Sequence, residues 1–417
     1  MFKCIIKMKK FSSKSVLLMV ALSAIMLVFV SCKKNDQGKD NPCPIQSVFT
    51  PTDTAYIDLP ELISEITILS PDWAEYFLNL IGVDHPRVMW VSGTYQSVDE
   101  NGNPITLSGS ITYPEKGDFK RYVVVSHYTV TSDAEAPSNH FAIESILSFF
   151  GYAVIEPDYI GYGVTKDKIH PYLLMDLTAQ NLYDMYLSVV PYMNQKGFKP
   201  KKDNIYVLGY SQGGSGAAAL QRLIETKHTQ DVSMDYSFLG GGIYDITAMY
   251  KGYVQSEVLD FPCGAILSMQ SMIVYGDLSL KMNDIFQQCI VDNVDEWINS
   301  KKYTIQQINE LIGTRTPAEV FTQKGMDLES NESKMLCEVL KKNSILYTDW
   351  IPKTPTYVMH STTDKVVLFK GNADALKEHW GTDKVTYDYE DYGTHFATAP
   401  KFLLEAIGIM KDLDKEY

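Results

Sequence analysis

The stretch Ile205-Tyr206-Val207-Leu208-Gly209-Tyr210-Ser211-Gln212-Gly213-Gly214 decides how the rest of the chain is read. Its first four residues, preceded by Asn204, form a short apolar run like a buried strand, whereas residues 214–224 are rich in alanine and leucine like a helix. Ser211 therefore falls on a strand-to-helix turn. In such a turn the serine backbone is strained and strand and helix approach closely, so the positions two before and two after it must carry almost no side chain. Gly209 and Gly213 meet that demand. The spacing predicts a serine nucleophile, but glycine-rich loops contain the same pattern by chance, so the assignment needs a base and an acid elsewhere.

Both types occur near the C-terminus. Thr356-Tyr357-Val358-Met359-His360 is strand-like, and Asp364 lies in the loop Ser361-Thr362-Thr363-Asp364-Lys365 just beyond it. Val385 to Tyr389 alternates like a further strand, and Asp391-Tyr392-Gly393-Thr394-His395-Phe396 is a polar turn that carries His395 into a final helix, Lys401 to Lys411. A serine hydroxyl is a poor nucleophile at neutral pH; an imidazole must take its proton, and a carboxylate must orient the imidazole and stabilise its cation. His395 is the expected base and Asp364 the expected acid, with Asp388 and Asp391 as alternatives. His85, His140, His170, His228 and His379 read as surface or packing residues, and His360 as a structural histidine at a strand end.

The order serine, aspartate, histidine, together with the turn around Ser211, resembles that of the α/β-hydrolases of the secreted lipase and esterase kind. The resemblance covers residues 85–412 and is specific at the Ser211 turn, the Asp364 loop and the His395 turn. Ser126-His127-Tyr128-Thr129, after the strand Tyr122 to Val125, is similar to the oxyanion loop of that superfamily, with Tyr128 where glycine is usual. The resemblance implies an oxyanion hole built from the backbone amide of Gln212 and a second amide at Thr129 or Tyr128. The stretches Asp158 to Gly163 and His170-Pro171-Tyr172-Leu173 resemble a loop of the same branch and read as a structural turn. Gly240-Gly241-Gly242-Ile243-Tyr244-Asp245 resembles a post-strand segment of that branch; no Lys-Ser/Thr follows it, as a phosphate cradle would require.

The fold class expected is α/β: an α/β-hydrolase fold with a mostly parallel sheet, helices on both faces and a helical cap insertion. Arg87 to Tyr95 and Ile105 to Tyr113 are strand-like runs joined by a turn containing Asn101-Gly102 and Pro104, and should form a hairpin at the sheet edge. Helices are expected over Phe141 to Phe150 and Leu177 to Asn194, with a strand over Tyr152 to Pro157 between them. Ser70-Pro71-Asp72-Trp73 reads as a further helix start. From about residue 243 to 344 the strand pattern stops; Thr304 to Gln307 and Thr316 to Glu319 read as capping boxes, and Gly264 to Tyr275 is the most apolar part, either a pocket wall or the packed interior of the cap.

Ahead of this body, five lysines and the apolar run Ser15 to Val30 read as a signal segment, residues 1–31. Phe29-Val30-Ser31-Cys32 resembles a bacterial lipobox, which implies lipidation at Cys32; an uncleaved membrane anchor is the alternative. Residues 32–47 are a polar spacer, and 48–417 the catalytic domain. Without the signal lysines the chain has 32 basic against 51 acidic residues, a net charge near −19, which disfavours nucleic acid and suits a neutral ester, small or glycan-linked. Cys43, Cys263, Cys289 and Cys337 lack metal-ligand spacing; disulfides or free thiols are both open, and neither a metal nor a cofactor is expected. The expected function is a serine esterase or lipase held at a membrane outside the cytoplasm. A carbohydrate esterase, a serine peptidase and a non-catalytic glycan- or lipid-binding lipoprotein are the alternatives.

Overall fold

The computed structural model describes residues 47–60, 62, 83–313 and 316–416. The signal segment, Cys32, the greater part of the spacer, Cys43 and the helix start at Ser70 lie outside them.

Among the described residues nine strands form one sheet: β1 (Thr50–Asp58), β2 (Arg87–Val98), β3 (Pro104–Pro114), β4 (Tyr122–Ser126), β5 (Ala153–Pro157), β6 (Ile205–Tyr210), β7 (Met234–Gly240), β8 (Thr356–Ser361) and β9 (Val385–Glu390). Their spatial order is β1-β2-β3-β5-β4-β6-β7-β8-β9. β1, β2 and β3 pair antiparallel, as does β3 with β5, and every pair from β5 to β9 is parallel. The β2–β3 hairpin is present but is not the edge, because β1 pairs along the outside of β2 over residues 50–58. The sequence of β1, Thr-Pro-Thr-Asp-Thr-Ala-Tyr-Ile-Asp, is polar because most of this edge strand faces water, so no apolar run marks it.

Period-two alternation explains why helices cover both faces. Val124, Ile155, Val207 and Leu239 point into one core with α1 (Met175–Gln195) and α2 (Gln212–Lys227). Val123, Val125, Val154, Leu208 and Phe238 point into the other, with the 3-10 helix Ile143–Phe150 and the C-terminal helix. The expected α-helix at Phe141–Phe150 is thus a tighter 3-10 turn, closed by Gly151 in the left-handed conformation at φ 87°.

Between β7 and β8 the described chain is helical: α3 (Ile246–Gln255), α4 (Pro262–Tyr275), α5 (Ile305–Ile312) and α6 (Asn331–Lys342), with shorter turns between them. Thr304 caps α5 reciprocally with Gln307, as a capping box does. The second expected box is absent: the Thr316 hydroxyl donates to the Glu319 side chain and caps no amide, and only the four residues Pro317–Val320 are helical. Most of α4 is buried, which makes it chiefly packing. After β8 follow α7 (Asp374–Trp380) and, beyond β9, α8 (His395–Leu413), whose first residue is His395 rather than Lys401.

Arg121 anchors the end of the sheet remote from Ser211. Its guanidinium holds Asp414 at 3.1 and 2.6 Å, Asp235 at 2.7 Å and the Asn204 carbonyl at 2.9 Å.

Candidate active site

Chain order reverses around β4: β5 lies on one side of it and β6 on the other, so the loops leaving β4 and β6 part and leave a crevice at their carboxyl ends. Ser211 sits there, directly after β6, at φ 59° and ψ −122°. Few non-glycine residues adopt this conformation, and it is held by close packing of strand, helix and β4. A Cβ on Gly209 would stand 2.0 Å from the Gly213 carbonyl oxygen, and one on Gly213 would stand 1.9 Å from that of Ser126.

His395 reaches Ser211 from the first turn of α8. Its Nε2 is 2.9 Å from Ser211 Oγ, and its Nδ1 is 2.6 Å from Asp364 Oδ2. The Thr394 side chain caps the helix at the Ala397 amide, and the Tyr210 hydroxyl donates to the His395 carbonyl at 2.6 Å, so the imidazole projects from a fixed base. The second oxygen of Asp364 accepts the amides of Val366 and Val367 at 2.8 and 2.9 Å. Burial pushes this carboxyl up, but the charge and hydrogen bond of His395, with the charge of His360 and the Val367 amide, leave it below its ordinary value.

The alternative acids lie elsewhere. Asp388 accepts the hydroxyls of Tyr357 and Tyr392, and Asp391 accepts the Thr363 hydroxyl and the Gly393 amide. His360 donates from Nε2 to the Val367 carbonyl at 2.9 Å, and its Nδ1 has no partner among the described residues. It stands 3.7 Å from Asp364 and touches the acid, not the serine.

Gln212 begins α2, where the first amides have no helical acceptor. No hydrogen bond among the described residues uses the amide of Gln212 or of Thr129. The Tyr128 amide likewise makes no hydrogen bond among the described residues; what sets it apart is its position near the buried Glu144 carboxyl, which burial raises above its ordinary value.

A cavity of about 310 Å³, counting its open mouth, adjoins Ser211. Ile243, Ile246, Met249, Phe261 and Val367 give it an apolar wall, with Tyr172, Tyr253 and Ser268 as polar-tipped members. Gly264 belongs to this wall too, so one turn of the otherwise buried α4 serves the pocket.

One buried histidine was not distinguishable in sequence from a packing residue. His170 Nδ1 lies 2.7 Å from the Ile160 carbonyl and Nε2 lies 2.8 Å from Gln212 Nε2. No motif marks this role; only the contact with the residue after the serine does.

Among the described residues Cys263, Cys289 and Cys337 are unpaired, and no group of three or more His, Cys, Asp or Glu is arranged to hold a metal ion. No described helix is long and apolar enough to cross a membrane.

The fold has counterparts among solved structures. The fold matches a rice cell wall degrading esterase, LipA, of Xanthomonas oryzae, at 20% identity over 90% of this chain and 100% of that one, with a TM-score of 0.71. A Legionella pneumophila protein described as a candidate hydrolase aligns at 19% identity over 86% and 96%, TM-score 0.70. Lipase A of Candida antarctica aligns at 14% over 84% and 77%, TM-score 0.59. No curated protein matches the sequence significantly. The model of the secretory lipase family matches residues 129–409, more than half of the chain, from the loop after β4 to α8; the chain belongs to the secretory lipase family, on an α/β-hydrolase fold.

Proposed function

We propose that this hydrolase is a serine carboxylic-ester hydrolase working through an acyl-enzyme. Ser211 Oγ attacks the ester carbonyl while His395 Nε2 takes its proton and returns it to the leaving alcohol. Water then attacks the acyl-enzyme with His395 again as base, and Asp364 holds the imidazole with Nδ1–H toward itself. The amides of Gln212 and Thr129 receive the oxyanion; Tyr128 is the less suited alternative because its amide lies near the buried Glu144. The observation that carries this reading is the unbroken hydrogen-bond chain Asp364–His395–Ser211, with the serine in a strained turn beside an apolar cavity.

The apolar walls leave little free space beside Ser211, which supports short acyl groups as substrates. A carbohydrate ester is the second reading, favoured by the likeness to an esterase that degrades rice cell walls. Membership in a secretory family supports an extracytoplasmic address. A lipid on Cys32, the polar spacer up to residue 47 and a helical cap over about 243–344 complete the proposal; Cys32→Ser should abolish incorporation of labelled fatty acid.

Hydrolysis of p-nitrophenyl esters from acetate to palmitate, by the detergent-solubilised chain beside its Ser211→Ala variant, tests the reading. Activity lost in the variant and highest on the short esters is expected. Wild-type turnover in Ser211→Ala would sink the assignment, and activity confined to acetylated or feruloylated oligosaccharides would favour the second reading.

A further inference from the structure

The two amides proposed for the oxyanion hole come from different parts of the chain: Thr129 follows β4 and Gln212 follows β6. Stabilisation of an oxyanion needs both donors aimed at one point within a few tenths of an ångström, so something must set the gap between the two loops. One segment, between β5 and α1, touches both. His170 bonds the Gln212 side chain, and two residues later the Tyr172 hydroxyl lies 2.9 Å from the Thr129 hydroxyl. We infer that His170 and Tyr172 are positioning residues that hold the two halves of the oxyanion hole in register.

The donor pattern is unambiguous. The Ile160 carbonyl can only accept, so His170 carries its proton on Nδ1 and offers the Nε2 lone pair to the Gln212 amide group. Burial, with the nearby Lys301 charge, pushes the His170 pKa down to about 3, so the ring stays neutral and the acceptor stays available at neutral pH.

The segment is rigid enough for the task. The His170 ring stacks on Tyr159 at an interplanar angle of 19° and meets Tyr162 and Tyr172 edge-on. Tyr159 donates to the His127 carbonyl at 2.8 Å and receives the Ser126 hydroxyl at 2.7 Å; Tyr162 donates to the Val130 carbonyl at 2.6 Å. Three of its tyrosines therefore bind residues 126–130, the loop that carries Thr129. Gly161 at φ 96° lets the chain fold onto itself, since a Cβ there would lie 2.8 Å from His170 Cα. Tyr159 at φ 68° and Leu173 at φ 62° add left-handed backbone at both ends, a strain that persists only where the surroundings enforce it.

The inference rests on the reading of Ser211 as an acylating nucleophile, and the test separates the two. Tyr172→Phe removes one hydroxyl and keeps the ring in the cavity wall. Gln212→Met removes the His170 contact while keeping the Gln212 amide and much of the side-chain volume. Thr129→Val does the same for the Tyr172 contact.

The full chain is assayed on a short p-nitrophenyl ester, and a phenylboronic acid that forms a tetrahedral adduct on the serine reports transition-state binding. Tyr172→Phe and Gln212→Met should each lower kcat by about tenfold, below the cost of deleting a donor outright, with KM within about twofold. Boronate affinity should fall in parallel. The double variant Thr129→Val/Tyr172→Phe should be no worse than the poorer single one, because both remove the same contact.

A kcat loss below about threefold in both variants overturns the inference, as does a loss in KM or thermal stability with boronate affinity unchanged. Additive losses in the double variant also overturn it. Those outcomes leave the parent reading intact as long as Ser211→Ala is inactive; turnover by Ser211→Ala overturns the parent reading instead.

Discussion

Asp364 meets His395 through one oxygen, 2.6 Å from Nδ1, while its other oxygen is held by the amides of Val366 and Val367. The carboxylate is therefore oriented by its own loop before the histidine arrives, and the imidazole takes its tautomer from the carboxylate. Asp364→Asn keeps the two amide bonds and the shape but presents an N–H or a weaker acceptor to Nδ1. That favours the tautomer with the proton on Nε2, where it blocks proton abstraction from Ser211. The expected result is a loss of about 10⁴ in kcat with little change in thermal stability, measured by ester turnover and calorimetry.

The turn at Ser211 tolerates no added carbon. In Gly213→Ala the new Cβ would stand 1.9 Å from the Ser126 carbonyl oxygen, a backbone atom that can move only by displacing β4. A destabilisation of at least about 3 kcal/mol is expected, with loss of activity even in the folded fraction, since β4 leads into the Thr129 loop. Denaturant unfolding followed by fluorescence gives the first quantity, and active-site titration the second.

Arg121→Met should separate stability from chemistry. Its partner Asp414 has a side chain only 1% exposed and also accepts the hydroxyls of Tyr152 and Tyr206 at 3.3 and 3.2 Å. Removing the guanidinium leaves that carboxylate buried with the Lys202 ammonium at 3.7 Å as its remaining cation, at a cost of about 3 kcal/mol. The cluster lies where β4 begins, while Ser211 and Thr129 lie beyond the strand ends. Turnover per active site at 20 °C should match the wild type while the melting temperature falls.

Glu144 gives the protein a pH-dependent element. Burial lifts its carboxyl to about 7, beside the equally buried Glu156, whose carboxyl is raised further by burial and by the Glu144 charge. A carboxyl raised above its unfolded value adds stability that is complete below about pH 4.5 and lost as pH rises through about 7. Glu144→Gln removes that loss, so the variant should gain stability on the wild type as pH rises from about 5 to about 8. His127 and His170, pushed down by burial to about 4 and about 3, act oppositely and lose stability as pH falls below about 6.5. Melting curves of both proteins across this range report the Glu144–Glu156 pair as their difference, since losing the Glu144 charge also eases ionisation of Glu156.

Most of the fold was legible because it rests on local patterns. The parallel strands are short apolar runs buried on both faces, such as Tyr122 to Ser126 and Ile205 to Tyr210, bounded by turns and helical stretches. β1 was not legible, because an edge strand needs a neighbour's backbone and little apolar surface. The start of α8 lies six residues before the expected Lys401 for a related reason: its first turn puts His395 in the site and Phe396 and Ala397 in solvent, which breaks the apolar periodicity, and only the Thr394 cap marks it.

For the site, the sequence by itself determined the residue types and their order: a serine between glycines, then an acid, then a histidine. Those are fixed by what a strand-to-helix turn can accommodate and by what activating a hydroxyl demands, both of which operate over a few residues. Only the tertiary structure decided among equivalents. Asp364 meets His395, while Asp388 and Asp391 hold hydroxyls; the Tyr128 amide lies near the buried Glu144; and His170, one of several unremarkable histidines, grips Gln212. The reason is physical: hydrogen bonds between groups 31, 42 or 184 residues apart depend on how the sheet brings its loops together, and neighbouring residues do not encode that distance.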